Sequence, residues 1–195
     1  MKDIKHVHDV QEYLKANGEN GERNHVLFVL GISTGYRAGD LIQLKVRDVK
    51  RALRMGYFEI LEGKKRNAYN IREQNIKPRE VNIPRKLDQI LRTYINNKNS
   101  YDYMFKSRKG MEPIQVSQVS RILRDAGLYF GLKNITAHSM RKTYAYRIYV
   151  NSDYDIMVVK EMLGHSSIEE TKRYIGLDRE LYAKYSDTLN DMIVL

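Results

Sequence analysis

Cysteine is absent from all 195 residues, which removes disulfides, thiolate metal sites and cysteine nucleophiles together. No run of about 18 apolar residues occurs, so nothing reads as a membrane-spanning helix. The opening stretch MKDIKHVHDVQEYLKANG is polar and has the composition of neither a secretory signal nor a transit peptide. Internal repeats, low-complexity segments and proline-rich linkers are missing as well. There is no P-loop and no clustered set of carboxylates, and His6, His8 and His25 are scattered, so they read as surface or packing residues. The expectation is a cytoplasmic protein with no metal, no cofactor and no membrane partner.

What the chain has in excess is positive charge: 34 Lys+Arg against 24 Asp+Glu, a net charge of +10. These cations are spread over the whole length, which suggests a folded surface built for a polyanion. Nucleic acid is favoured over lipid, because no cationic amphipathic helix with a strongly apolar opposite face stands out. The length suffices for one domain with a real core.

Periodicity predicts an α+β fold, mainly α-helical with a small antiparallel sheet. Residues 4–16 read as a helix with Ile4, Val7, Val10, Tyr13 and Leu14 on one face, stopped by Asn17-Gly18, with a loop to about Glu22. Residues 24–34 are apolar on nearly every side, which marks a buried helix, and Gly35 suits a left-handed stop. Arg37 stands at the break before a second helix over 38–44. That position fixes its backbone, although the same arginine reads equally as a surface loop residue.

Residues 57–61 and 79–84 alternate as strands. Their long connection hangs Lys64, Lys65, Arg66, Arg72, Lys77 and Arg79 from the sheet as phosphate contacts or solvated charges, one of them a catalytic candidate. An amphipathic helix over 85–97 follows. Ser117 is expected to cap a helix over 118–126 that Gly127 stops. Its polar face, Gln118, Arg121 and Arg124, suits base edges and phosphates, or is simply solvated. His138 falls just before a helix over 140–150, Asp153 is expected to cap 154–163, and Ser167 with Glu170 forms a capping box opening the helix of Tyr174. A last helix after Gly176 carries the stripe Leu181, Tyr185, Leu189 and Met192 or Ile193, which must bury itself on this domain or on a neighbour.

Three stretches stand out together. TGYRAGDLIQLKVRDV (34–49) resembles the first signature of the tyrosine recombinases, the phage-integrase family. AHSMRKT (137–143) is similar to that family's His-x-x-Arg box, and LGHSSIEETKRY (163–174) to its terminal His-to-Tyr segment. Each box alone is weak; in this order and at these separations they are specific. The resemblance implies the tyrosine recombinase catalytic-domain fold over 1–195, and Arg37, Lys64, His138, Arg141, His165 and Tyr174 as catalytic residues, with Lys65 an alternative to Lys64. Asp40 would support the site or pair with a nearby lysine. Lys65, Arg66, Lys77, Arg79, Gln118, Arg121 and Arg124 would contact DNA. Lys142 stands where many relatives carry a second histidine.

The chemistry fits these residue types. A phosphodiester under attack gathers charge on its non-bridging oxygens, and arginine's planar fork holds two oxygens while staying charged. Histidines handle protons near neutral pH. A lysine can protonate the leaving 5′-hydroxyl, a contribution of ~10²–10⁴-fold for a placed general acid. Tyr174 is singled out among 15 tyrosines by position, since Tyr182 and Tyr185 fall in or beside the apolar stripe of the last helix. By the resemblance, attack leaves a 3′-phosphotyrosyl bond that conserves energy for rejoining without ATP or metal.

The partner implied is a double-stranded recombination site bound by a homotetramer, the chain alone being a monomer. The N-terminal domain that completes the family's clamp is not seen before the first box, so weak, salt-sensitive binding is expected. The last helix (179–195) is a candidate for docking on a neighbouring protomer. Two competitors are a non-cutting DNA-binding accessory protein of the same fold and a type IB topoisomerase-like enzyme.

Overall fold

The Asp3 carboxylate accepts the Lys5 N–H at 2.8 Å and so caps helix α1 (Ile4–Ala16), which turns Val7, Val10 and Leu14 inward against α2 (Gly21–Thr34). This is a computed structural model; it describes residues 1–61, 63, 78–176, 186 and 192. Two compact units divide the chain, Met1–Tyr144 and Ala145–Leu195.

In the first unit α2 starts three residues earlier than its apolar run suggests, because Gly21, Glu22 and Arg23 already wind as helix. Val26, Leu27, Phe28, Val29 and Leu30 are all buried, as expected of a helix apolar on every side. Gly35 ends it at φ 63°, its N–H bonded to Gly31 O at 3.0 Å. The predicted helix over 38–44 is a single turn, α3 (Ala38–Leu41). It is followed by an unforeseen helix, α4 (Val46–Met55), whose apolar stripe of Val46, Val49, Ala52 and Leu53 is narrow and set among basic residues.

Strands β1 (Tyr57–Ile60) and β2 (Arg79–Asn82) pair antiparallel, Tyr57 opposite Asn82 and Ile60 opposite Arg79. Both are shorter than expected. Lys64, Lys65, Arg66, Arg72 and Lys77 lie outside the described residues. Helix α5 (Arg85–Ile95) lays Leu87, Leu91, Tyr94 and Ile95 against α2 and α4.

Helix α6 (Val116–Tyr129) corrects two expectations. Gln115 is the residue before it, so Ser117 lies exposed inside the first turn and caps nothing. Gly127 does not stop the helix but sits within it: a Cβ there would be 2.7 Å from Ile135 Cγ1, so the glycine permits close packing of the following loop. Ser120 Oγ accepts the Ala137 N–H at 3.2 Å, a second tie to the same loop. Helix α7 (Ala137–Asn151) begins early enough to hold His138 in its first turn, and it runs across the boundary between the units.

In the second unit Asp155, not Asp153, caps α8 (Ile156–Leu163), accepting from Met157 N at 2.7 Å and Val158 N at 3.3 Å. Asp153 and Tyr154 take left-handed φ values of 52° and 65°, a reversal that must be complete before a cap can form. After the left-handed Gly164, Ser167 Oγ accepts Glu170 N at 3.1 Å and opens α9 (Ile168–Ile175). The Glu170 carboxylate reaches back to Ser166, with Oε2 3.2 Å from its Oγ, so the capping box is offset by one residue. The predicted last helix, with Leu181, Tyr182 and Tyr185, lies outside the described residues. Among the described residues no helix is long and apolar enough to cross a membrane.

Candidate active site

Arg141 is only 2 % exposed, and its Nη1 donates to the Gly35 carbonyl at 2.7 Å. Gly35 is thus both the stop of α2 and the anchor of a buried guanidinium. It also has to be glycine: besides its positive φ, a Cβ would overlap the ring of Tyr144. Arg37 follows two residues later, half-buried, its carbonyl accepting the Asp40 and Leu41 N–H groups that open α3.

His138, one turn before Arg141 on α7, is exposed. Its pKa is depressed below the ordinary histidine value first by partial desolvation of the otherwise exposed ring, then by the charges of Lys142, Arg141 and Arg37. The structure therefore brings Arg37, His138 and Arg141 within electrostatic reach of one another. The neutral ring at pH 7 is able to donate from one nitrogen and accept at the other.

Asp40 Oδ1 accepts the Gly63 N–H at 2.8 Å, while Oδ2 is buried and takes no hydrogen bond among the described residues. Arg79 is the first residue of β2, as expected, but its side chain, expected to reach DNA or solvent, is turned inward. Its guanidinium lies 4.0 Å from the centroid of the Tyr36 ring, and Nη2 donates to Thr34 O at 2.9 Å. Burial, with Arg141 nearby, brings its pKa down to about 10. The Tyr36 hydroxyl bonds the carbonyls of Phe58 and Arg79, and burial pushes its pKa up to about 12.

In the second unit His165 is buried at the turn between α8 and α9, its Nδ1 3.0 Å from Thr171 Oγ1. The Thr171 hydroxyl already donates to Ser167 O at 3.1 Å. A hydroxyl has one proton, so Nδ1–H must be the donor, and the lone pair of the neutral ring falls on Nε2. Tyr174 presents its ring edge-on to the same imidazole, 5.2 Å between centroids. It is half-buried, with its hydroxyl oxygen shielded from solvent.

Residues 4–180 match the family model described as Phage integrase family. Over 180 residues the chain is 30% identical to the probable integrase/recombinase YoeC of Bacillus subtilis, covering 92% of this chain and 90% of that protein. The chain belongs to the phage integrase family. Within the family, the crystal structure of XerA recombinase superposes with a TM-score of 0.67 at 24% identity, covering 94% of this chain and 64% of that one. XerH in a post-cleavage complex with palindromic difH substrate gives 0.62 at 21%, covering 94% and 51%. This integrase-family chain thus spans nearly all of YoeC but about half to two thirds of the solved chains.

A cleft of about 560 Å³ in the first unit is lined by Arg23, Arg108, Lys109, Gln118 and Arg121, together with Glu112. Gln118 Oε1 accepts from Arg121 Nη2 at 2.8 Å, and Arg124 is exposed one turn further along α6. Among the described residues no group of His, Asp or Glu is placed to hold a metal ion. Sequence reasoning missed Thr171 and Tyr144, and it missed the second task of Gly35. Thr171 carries a weak signal, a hydroxyl one turn after the Ser167 cap; the contact of Tyr144 with Gly35 carries none.

Proposed function

We propose that this chain is the catalytic domain of a site-specific recombinase, and that the Tyr174 oxygen attacks a DNA phosphodiester. The bond formed is a 3′-phosphotyrosyl ester; the bond broken is P–O5′, and the 5′-oxygen leaves with a proton from Lys64, or from Lys65 beside it. Arg37 and Arg141 neutralise the non-bridging oxygens, His138 donates a further hydrogen bond as charge builds, and Nε2 of His165 takes the proton that the Tyr174 hydroxyl gives up on attack. Attack by a strand's free 5′-hydroxyl on the ester reverses these steps and exchanges strands, with no energy source needed.

The observation that carries this reading is the fixed guanidinium of Arg141 on the Gly35 carbonyl, with Arg37 and His138 close enough to share its field. Donors held before the substrate arrives cost no reorganisation during reaction. Double-stranded DNA is the partner, consistent with the basic cleft along α6 and with the difH complex of XerH. Strand exchange joins two duplexes and calls for four protomers, assembled on DNA from monomers, with the 179–195 segment docking on a neighbour. Deleting 179–195 then abolishes recombination and leaves the fold intact; an insoluble product would place that segment on its own domain instead. The site of action is the cytoplasm.

The test is covalent capture. The chain is incubated with nicked suicide duplexes carrying a randomised core, and denaturant-resistant adducts are recovered and sequenced. Adducts form with the native chain, vanish in Tyr174→Phe and persist in Tyr182→Phe and Tyr185→Phe. An adduct retained by Tyr174→Phe defeats the assignment. Relaxation of supercoils by the monomer, with no selected sequence, would favour a topoisomerase instead.

A further inference from the structure

The first unit holds a cavity whose charge runs against that of the chain as a whole. The last turns of α1 and α6 meet there around a space of about 410 Å³. Asp9 and Glu12 line it from successive turns of α1, and among the described residues no lysine or arginine joins them, in a chain of net charge +10.

Three rings form its wall. Tyr13 lies 4.9 Å from Tyr129 and 6.1 Å from Phe130 between centroids, and Tyr129 meets Phe130 edge to face at 5.0 Å. Tyr13 and Phe130 are half-buried against the core, while Tyr129 is 71 % exposed and Leu128 beside it 60 %. The backbone beneath them is held: the N–H groups of Phe130 and Leu132 both bond Gly127 O, at 3.1 and 2.8 Å, and Gly131 reverses the chain at φ 69°.

We propose that this cavity is a docking site for a basic segment of a partner protein, seating a lysine or arginine that has apolar neighbours. The inference is independent of the cleavage reaction proposed above.

Three sources of negative potential converge on the space. The carboxylates of Asp9 and Glu12 supply charge. Two helices end there, α1 at Ala16 and Asn17 and α6 at Tyr129 and Phe130, and each adds the negative pole of its dipole. Lys15 offsets the first pole in part but does not line the space. The ring faces attract a cation further, and more strongly once it is desolvated.

Other occupants fit less well. A duplex would bring its phosphates against two carboxylates, while Arg23, Arg108, Lys109 and Arg121 stand ready in another cleft. A second copy brings a like net charge of +10, with no duplex between the two to neutralise it. A small free amine leaves Leu128 and Tyr129 uncovered, whereas a segment with apolar side chains beside its cation covers both.

The test is selection from a library of random peptides displayed on phage, panned on the native chain and counter-panned on the double variant Glu12→Gln/Tyr129→Ala. Acidic peptides held by the basic cleft bind both chains and drop out. The peptides that remain are expected to share a lysine or arginine next to a leucine or an aromatic residue. A synthetic copy of the strongest should bind the double variant about tenfold more weakly. It should lose a similar factor on the native chain when its arginine is replaced by citrulline, or its lysine by norleucine, which removes the charge. Asp9→Asn/Glu12→Gln leaves the rings in place, should the loss of Tyr129 disturb α6, and weakens the peptide by about threefold. DNA binding and covalent capture are unchanged in both double variants.

A selection that yields no peptide sensitive to the variant, or a peptide indifferent to the loss of its cation, overturns the proposal. Weaker DNA binding by the double variants would give the face to the duplex instead. Self-association of the native chain that the variants lose, seen by sedimentation, would give it to a second copy, and spermidine binding as tightly as the peptide would give it to small amines.

Discussion

Arg141 lies in the 15-residue helix α7, 2 % exposed, its guanidinium bonded to the carbonyl of a glycine that nothing larger can replace. Tyr174 lies near the end of the eight-residue helix α9, between a serine cap and a left-handed glycine. Around Arg141 the core continues through α2, α3 and α5; among the described residues of the second unit Ala145, Tyr149, Val159, Leu163 and Ile175 are buried and apolar. The contrast matches the two tasks proposed for these residues. Groups that stabilise developing charge work best when fixed in advance, whereas a nucleophile has to approach phosphorus and then depart. Short helices with their own caps and little buried surface open at low cost, and long buried ones do not.

The largest effect expected on this contrast comes from Gly35→Ala. A Cβ there meets the Tyr144 ring and forces a non-glycine residue to positive φ, so unfolding in urea should show a loss of ~3 kcal/mol or more. A loss below about 1 kcal/mol would mean that the arginine anchor is not built into the core. Arg141→Lys keeps charge but not the fork, and cleavage should fall by ~10²–10³-fold with the fold retained.

Ser167→Ala removes the α9 cap, a cost of ~1 kcal/mol. It should appear as faster amide exchange in 167–175 with little change in the global melt; an equal drop in both would erase the distinction between the two regions. Thr171→Val deletes the oxygen that sets the His165 tautomer, and about 1 kcal/mol of lost hydrogen bonding lowers adduct formation roughly fivefold.

The smallest effect is in pH. Partial desolvation first, then the charges of Lys142, Arg141 and Arg37, hold the pKa of His138 down, and a bound phosphate would oppose those charges and raise it. DNA binding therefore takes up a proton at this ring. Affinity is highest below the depressed pKa of the free protein and declines as pH rises through the higher value of the complex. A His138→Gln variant should show a flatter binding profile from pH 5 to 8, by titration at fixed salt.

Much of this was legible in the sequence, for identifiable reasons. The stop at Gly35 was, because a glycine after a periodic run has few other uses. Ser167 was legible through its acidic partner, although Glu170 bonds Ser166 instead. Gly127 was misleading: its missing side chain serves Ile135, a neighbour eight residues away that no local pattern announces. Helix α4 was hidden because four apolar residues in a basic segment make a weak stripe. Arg79 looked like one more exposed cation in a basic run, and only the fold reveals that Tyr36 and Thr34 receive it.

The joint between α6 and α7 has a consequence of its own. Gly127 lets Ile135 press onto α6, and Ser120 holds the Ala137 N–H, one residue from His138. The helix that would lie along the duplex and the helix that presents the imidazole are therefore tied together at this joint. A mismatched sequence that lifts the first would withdraw the second as well, so fidelity would be enforced at the moment of cutting and not by affinity alone.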